Sequence, residues 1–229
     1  MAKKKRITRK VLLKEPDEFL TFSRRLFLSA VEHKNQIAIG LGIFLSLIII
    51  ISGIRYFSNQ SENEASVLLR EAMVKYEAAV KDNGPEKAYA DVEADFQKIL
   101  EEYSGKDAGK IATVKYAGIC YDAGNTDKAI ELYKEAIQDF SGHPSFENLI
   151  LSGIGYAYEK KKDYKTAVTY FEKITQGSNP LMKDEALFNL GRLYGEIGER
   201  DKSMEAFKTI LSDYAESMYI EIVKEKVTG

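Results

Sequence analysis

A nine-residue pattern recurs along this chain and leaves few folds open to it. Phe96-x-x-Ile99-Leu100-x-x-Tyr103-Ser104 returns as Tyr133-x-x-Ala136-Ile137-x-x-Phe140-Ser141 and again as Phe207-x-x-Ile210-Leu211-x-x-Tyr214-Ala215. Apolar positions three, four and seven apart share one face of a helix, so each copy predicts the end of an amphipathic helix. Short turns, Ala123-Gly124-Asn125-Thr126 and Ile197-Gly198-Glu199-Arg200, precede the last two copies. Between them, Lys161-Lys162-Asp163-Tyr164 leads into Ala167-x-x-x-Phe171-x-x-Ile174. Aligned on the small residues Ala129, Ala167 and Ser203, the periods are 38 and 36 residues. A unit of that size holds two helices. One such pair cannot bury its apolar face alone, so a stack of neighbours must supply the core.

The spacing resembles the tetratricopeptide repeat. In residues 148–181 the large, large and small positions of the first helix are Leu151, Ile154 and Gly155, followed by Tyr158. Asp163-Tyr164 forms the turn, Ala167, Phe171 and Ile174 carry the second helix, and Asn179-Pro180 closes the unit. Residues 184–216 repeat this with Leu187, Leu190, Gly191, Tyr194, Gly198, Ser203, Phe207 and Ile210. A looser copy starts near 110, with Tyr116, Ala117, Cys120, Tyr121, Gly124, Ala129, Tyr133 and Ala136. Residues 61–104 depart most and read as a capping pair, broken at Asn83-Gly84-Pro85. Ser61-x-x-Glu64 has capping-box form after a predicted linker, Ser58-Asn59-Gln60. Tyr219, Ile222, Val223 and Val227 predict a last helix over the final hairpin. The small residues Ala117, Gly155 and Gly191 would let paired helices approach closely, and the lone Cys120 reads as a small buried hydrophobe. The resemblance implies an all-α fold: a right-handed TPR-like α-solenoid of about four helical hairpins, joined to one N-terminal transmembrane helix.

That transmembrane helix is read from residues 37–54, IAIGLGIFLSLIIIISGI, 18 residues without a charge. At ~1.5 Å per residue they span about 27 Å, close to the hydrocarbon thickness of a bilayer. A buried core helix would show a polar face, and this segment has none. A cleaved signal peptide is shorter and ends in small residues, whereas here 36 residues precede the run and Arg55-Tyr56-Phe57 follows. Residues 1–36 hold ten Lys/Arg against four Asp/Glu, and residues 58–229 hold 22 against 31. The positive-inside rule then sets the N-terminus in the cytoplasm and the array outside it, in the periplasm beyond a bacterial inner membrane. The domains expected are a basic tail (1–36), a span (37–57) and the repeat array (58–229). Within the tail, Asp17 is a predicted N-cap, and Phe19, Phe22, Leu26, Phe27 and Ala30 form a helical stripe suited to the leaflet surface or to a partner.

The acidic array argues against nucleic acid, which needs an excess of Lys and Arg. The two histidines, His33 and His143, have no metal-ligand spacing, and no phosphate loop or nucleophile elbow occurs. Neither an enzyme, a cofactor, a metal nor a small-molecule substrate is expected. The resemblance implies protein binding on the concave face lined by first helices. There Tyr121, Tyr156 and Phe188 are candidate aromatic anchors and Arg192 a candidate carboxylate partner; the same residues could instead fill space between hairpins. With only Arg192 at such a position, the carboxylate clamp of Hsp70/Hsp90 co-chaperones is not expected. The layout is similar to that of the ancillary subunit of the Sec translocon, which implies translocon subunits, chaperones or other envelope proteins as partners. A cell-division or envelope-assembly coordinator, or a regulatory subunit working through its cytoplasmic tail, are the alternatives.

Overall fold

The structure is a computed structural model that describes residues 18–228. Every element among the described residues is a helix. The chain divides into two compact units, one ending at Asn59 and the other beginning at Gln60. Asp17 lies outside the described residues.

In the first unit, α1 (Glu18–Glu32) leads through His33 into α2 (Lys34–Asn83). The apolar stretch inside α2 is long and apolar enough to cross a membrane. Its side chains, among them Ile39, Leu41, Phe44 and Ile49, are exposed. It is therefore not a core helix of this chain. Phe22, Leu26 and Phe27 of α1 are exposed as well.

The expected linker is absent, because α2 runs unbroken through Ser58, Asn59 and Gln60. No glycine or proline stands between Gly53 and Gly84 to interrupt it. Ser61 consequently caps nothing. Glu64 accepts a hydrogen bond from Gln60 Nε2 one turn earlier, at 3.1 Å.

The second unit is a run of hairpins. The C-terminal part of α2 pairs with α3 (Pro85–Tyr103). Then come α4 (Asp107–Asp122) with α5 (Thr126–Asp139), α6 (Pro144–Lys160) with α7 (Tyr164–Gln176), and α8 (Lys183–Glu196) with α9 (Arg200–Asp213). A short α10 (Ile220–Thr228) closes the array. From α3 to α10 each helix packs against its sequence neighbours, and α4 also touches α6. The core forms three clusters along the stack, bridged by the partly buried Ile137, Tyr158, Tyr170 and Leu187. Ala72, Phe96, Tyr116 and Ile150 share one cluster, Ala167, Phe171, Leu190 and Leu193 a second, and Phe207, Ile210 and Val223 a third. The final helix thus covers the last hairpin as expected, through Val223, while Ile222 faces solvent.

Two local devices recur in the hairpins after α3. The first is the turn. The backbone N–H groups of Asn125, Asp163 and Glu199 each donate to the carbonyl five residues back, on Cys120, Tyr158 and Tyr194. This closing bond needs a left-handed residue just before it. Gly124 and Gly198 supply φ of 84°, and Lys162 is held at 62° in the equivalent place. The second device is close approach. A Cβ on Gly155 would stand 2.7 Å from the Phe171 ring, and one on Gly191 2.4 Å from the Phe207 ring. The ring that needs the small residue belongs to the second helix of the same hairpin. The tyrosines three residues on reach the preceding hairpin instead: Lys134 Nζ donates to Tyr158 Oη at 2.8 Å, and Tyr194 Oη donates to Glu172.

Candidate functional site

The first helices α4, α6 and α8 carry the residues expected to bind a partner. Two of the four, Tyr156 and Arg192, meet at the joint between α6 and α8, while Phe188 packs on the other side of α8 against Phe207 and Tyr219. Tyr156 Oη donates to Glu185 Oε1 at 2.8 Å and accepts from Asn189 Nδ2 at 2.8 Å. Arg192 Nη2 donates to Glu159 Oε1 at 2.8 Å, to Glu159 Oε2 at 3.1 Å and to Asn189 Oδ1 at 2.9 Å. Ser152 Oγ adds a bond to Glu185 Oε1 at 3.2 Å. The Arg192 guanidinium stands 5.8 Å from the centre of the Phe188 ring, which stacks on Tyr219 at 4.4 Å. Tyr121 lies apart, at the joint of α4 and α6, with the Lys160 ammonium 4.5 Å over its ring. Lys160 Nζ also donates to the Tyr121 carbonyl at 2.7 Å.

These bonds join successive first helices at one constant offset, three residues short of the 36 that separate Gly155 from Gly191. Tyr156 with Asn189, Ser152 with Glu185 and Glu159 with Arg192 are each separated by 33 positions. The shared offset shows that one polar register holds along the whole α6–α8 joint. Arg192 and Glu159 are partly buried, so their charges attract each other more strongly than a fully solvated pair. Burial, against donation from Asn189 and together with the Glu185 carboxylate, pushes the Tyr156 hydroxyl well above the usual phenol range. It stays a neutral donor. Tyr121 is raised too, by burial and then by the carboxylates of Glu159 and Asp122.

Two buried asparagines were not anticipated. Asn189 ties Tyr156 to Arg192, and Asn148 Nδ2 donates to the Leu181 carbonyl at 2.8 Å, holding the α7–α8 loop. Each falls where the helix otherwise presents buried residues to its neighbours. A buried amide needs partners, so a polar residue at such a position is the available signal.

A second polar cluster lies between the first two hairpins. Lys128 Nζ reaches Tyr116 Oη and Glu93 Oε1, both at 2.9 Å, and Tyr89 Oη at 3.2 Å. Tyr116 stacks on Phe96 at 5.0 Å. The bond from Tyr89, followed by that from Lys128, holds the Glu93 carboxyl below its ordinary range. Further along the same joint, Glu62 of α2 accepts the backbone N–H groups of Asp107 at 3.0 Å and Ala108 at 2.8 Å. It caps α4 from 45 positions away in sequence. Cys120 is fully buried, and burial pushes its thiol up to about 11. Among the described residues no group of three His, Cys, Asp or Glu is placed to hold a metal ion.

Nested helical hairpins, joined through a face of tyrosines, amides and ion pairs, define an α-solenoid of the kind that presents a surface to other macromolecules. Residues 116–143 and 185–217 match one tetratricopeptide repeat model, and residues 150–176 match another. The chain carries tetratricopeptide repeats, which serve in general as protein-interaction scaffolds. Its fold is similar to a tetratricopeptide repeat protein from Parabacteroides merdae ATCC 43184, with a TM-score of 0.54 and 18% identity. That match covers 69% of this chain and 57% of the other. BtubC (BKLC) from P. vanneervenii is similar at a TM-score of 0.53 and 16% identity, covering 69% of this chain and 70% of that one. No curated protein sequence matches the chain.

Proposed function

We propose that this protein is a single-pass membrane scaffold that holds its repeat array outside the cytoplasm and binds other proteins through the face of its first helices. The observation that carries the binding part is the array itself, with its matches to tetratricopeptide repeats across residues 116–217. Anchoring is supported by the exposed, uncharged stretch from Ile37 to Ile54. Sidedness is supported by the basic character of residues 1–36 against the acidic character of residues 58–229. Tyr121, Tyr156, Phe188 and Arg192 are the contact residues proposed, with Arg192 exchanging or sharing Glu159 for a partner's carboxylate. The same layout favours clients in protein translocation or in periplasmic chaperone networks, in the manner of the ancillary Sec subunit.

Two measurements test this. Protease added to sealed membranes should digest the array only from the extracytoplasmic side; digestion only from the cytosolic side ends the reading. Crosslinking in intact membranes should recover translocon subunits or chaperones. Recovery of wall or division proteins instead would support an envelope-assembly coordinator, and full activity from residues 1–57 alone would move the function to the tail.

A further inference from the structure

The joint between α4 and α6 is built unlike the joints on either side of it. Polar side chains bridge the neighbouring joints along their length: Glu62 at the start of α4, the Tyr156–Glu185–Asn189 bonds between α6 and α8, and Ser217 Oγ to Asp184 Oδ2 at 2.7 Å near α10. Between α4 and α6 the polar bridge, Lys160 to the Tyr121 carbonyl, stands at the far end from Val114 and Leu149. Aligning the repeats on Ala117, Gly155 and Gly191 shows what changes. Val114 stands where α6 has Ser152, and Gly118 where it has Tyr156; Leu149 stands where α8 has Glu185, and Gly153 where it has Asn189. The Tyr156 ring that closes the α6–α8 joint thus has no counterpart at position 118. The Tyr133 ring covers Gly153 from the second helix of the preceding hairpin, 2.6 Å from where a Cβ would stand, and leaves the space beside Gly118 open. In its place a groove of about 250 Å³ opens, lined by Ile111, Val114, Gly118, Tyr133, Phe146 and Leu149. Phe146 and Leu149 remain 41% and 47% exposed. Lys115 is the charged residue of this lining. It is exposed and makes no hydrogen bond or ion pair with another described residue.

The geometry points to this groove as the seat of one aromatic side chain from an extended segment of a partner protein, with a neighbouring carboxylate of that segment paired to Lys115. The inference rests on the scaffold reading above and names the chemistry of its partner. Small-molecule sites occupy roughly 300–1,000 Å³, so this groove is suited to a side chain and not to a free ligand. Its apolar walls supply the drive, because covering Phe146 and Leu149 removes apolar area from water. Lys115 supplies direction, since it is the cation beside the groove without an acidic partner.

The test uses the full chain in lipid nanodiscs and a phage-displayed peptide library. The selected consensus should hold one aromatic residue with Asp or Glu within two positions. A synthetic, fluorescein-labelled consensus peptide is then titrated by anisotropy. Gly118→Tyr fills the groove and should weaken binding by about tenfold or more. A Cβ at Gly118 meets only the Tyr133 hydroxyl, at 3.5 Å, and the melting temperature of Gly118→Tyr is read beside its binding; Lys115→Glu, on an exposed side chain, tests the site without adding bulk to the groove. Lys115→Glu should weaken the acidic peptide by about tenfold and select a basic flank instead. The proposal is overturned if Gly118→Tyr binds like the parent, if the consensus lacks an aromatic residue, or if no peptide is enriched. It is also overturned if Gly118→Tyr abolishes a self-association of the parent, which would make a second copy the occupant. Loss of the groove with crosslinked partners intact leaves the scaffold reading standing. Absence of any crosslinked partner removes the scaffold reading itself.

Discussion

Replacing Gly191 with alanine adds one methyl group where the ring of Phe207 on the paired helix lies directly against the backbone. That methyl would sit 2.4, 2.6 and 2.7 Å from three carbons of the Phe207 ring, well inside the ~3.5–4.0 Å at which carbon atoms attract. Phe207 is nearly fully buried and has little room to turn aside. Overpacking of this kind costs about 1–3 kcal/mol, against a gain of up to about 1 kcal/mol from replacing glycine inside a helix. The net expectation is a loss of roughly 0–2 kcal/mol. The same change at Gly118 has only the ordinary Tyr133 contact to meet and keeps the whole helical gain, a rise of about 0.5–1 kcal/mol. The two variants should therefore differ by on the order of 1–3 kcal/mol. For a unit of this size that separates their melting temperatures by roughly 3–10 °C. Circular dichroism at 222 nm on the full chain in detergent reads it directly. Phe207→Leu in the Gly191→Ala background should recover part of the loss by vacating the ring. Equal melting temperatures for Gly191→Ala and Gly118→Ala would refute the argument that ring-to-glycine contact sets the helix spacing.

Four further outcomes follow from the same geometry. Lys162→Gly relieves a left-handed non-glycine residue at the turn where the other two hairpins have glycine, and should raise stability by about 0.5–1 kcal/mol in urea titration. Arg192→Ala strips the cation from Glu159 and the donor from Asn189, and should cost about 1–3 kcal/mol; an unchanged urea midpoint would show that the ladder contributes nothing. Glu62→Ala leaves two N–H groups at the start of α4 without their acceptor, for a loss of about 1 kcal/mol, with amide exchange of Asp107 and Ala108 accelerated first. Burial pushes the Cys120 thiol up to about 11 and the Tyr133 hydroxyl up to about 12, from 9.0 and 10.0. The folded chain holds protons that the unfolded chain releases, so this stability is full below pH 9 and declines as pH rises through 11 and 12; a constant denaturation midpoint from pH 9 to pH 12 would contradict it.

Much of the architecture is legible in the sequence, and particular residues show why. Phe171 with Gly155, and Phe207 with Gly191, follow a local periodicity, and hairpin turns are decided by a few adjacent residues. The uncharged run from Ile37 to Ile54 is likewise a property of consecutive residues. Of the proposed contact residues, Tyr156 and Arg192 are joined through Asn189, Phe188 lies against Tyr219 on the other side of α8, and Tyr121 sits one joint away with Lys160 over its ring. What periodicity missed were the asparagines at 148 and 189, because a helical stripe scores them as interruptions of an apolar face.

The chain's own order of residues settled that helices form, where they turn back, and that they must stack, since each of those depends on neighbours within a turn or two. The stack settled the rest. Ser58 to Gln60 could serve as linker or as helix, and they are helix in the folded chain. Glu62 reads as an ordinary surface carboxylate until the second hairpin brings the start of α4 against it. Gly118 reads as a flaw in a helix until the repeats are laid side by side and the tyrosine of the next joint shows what it leaves open. Such features depend on groups tens of residues apart, and only packing decides which of them meet.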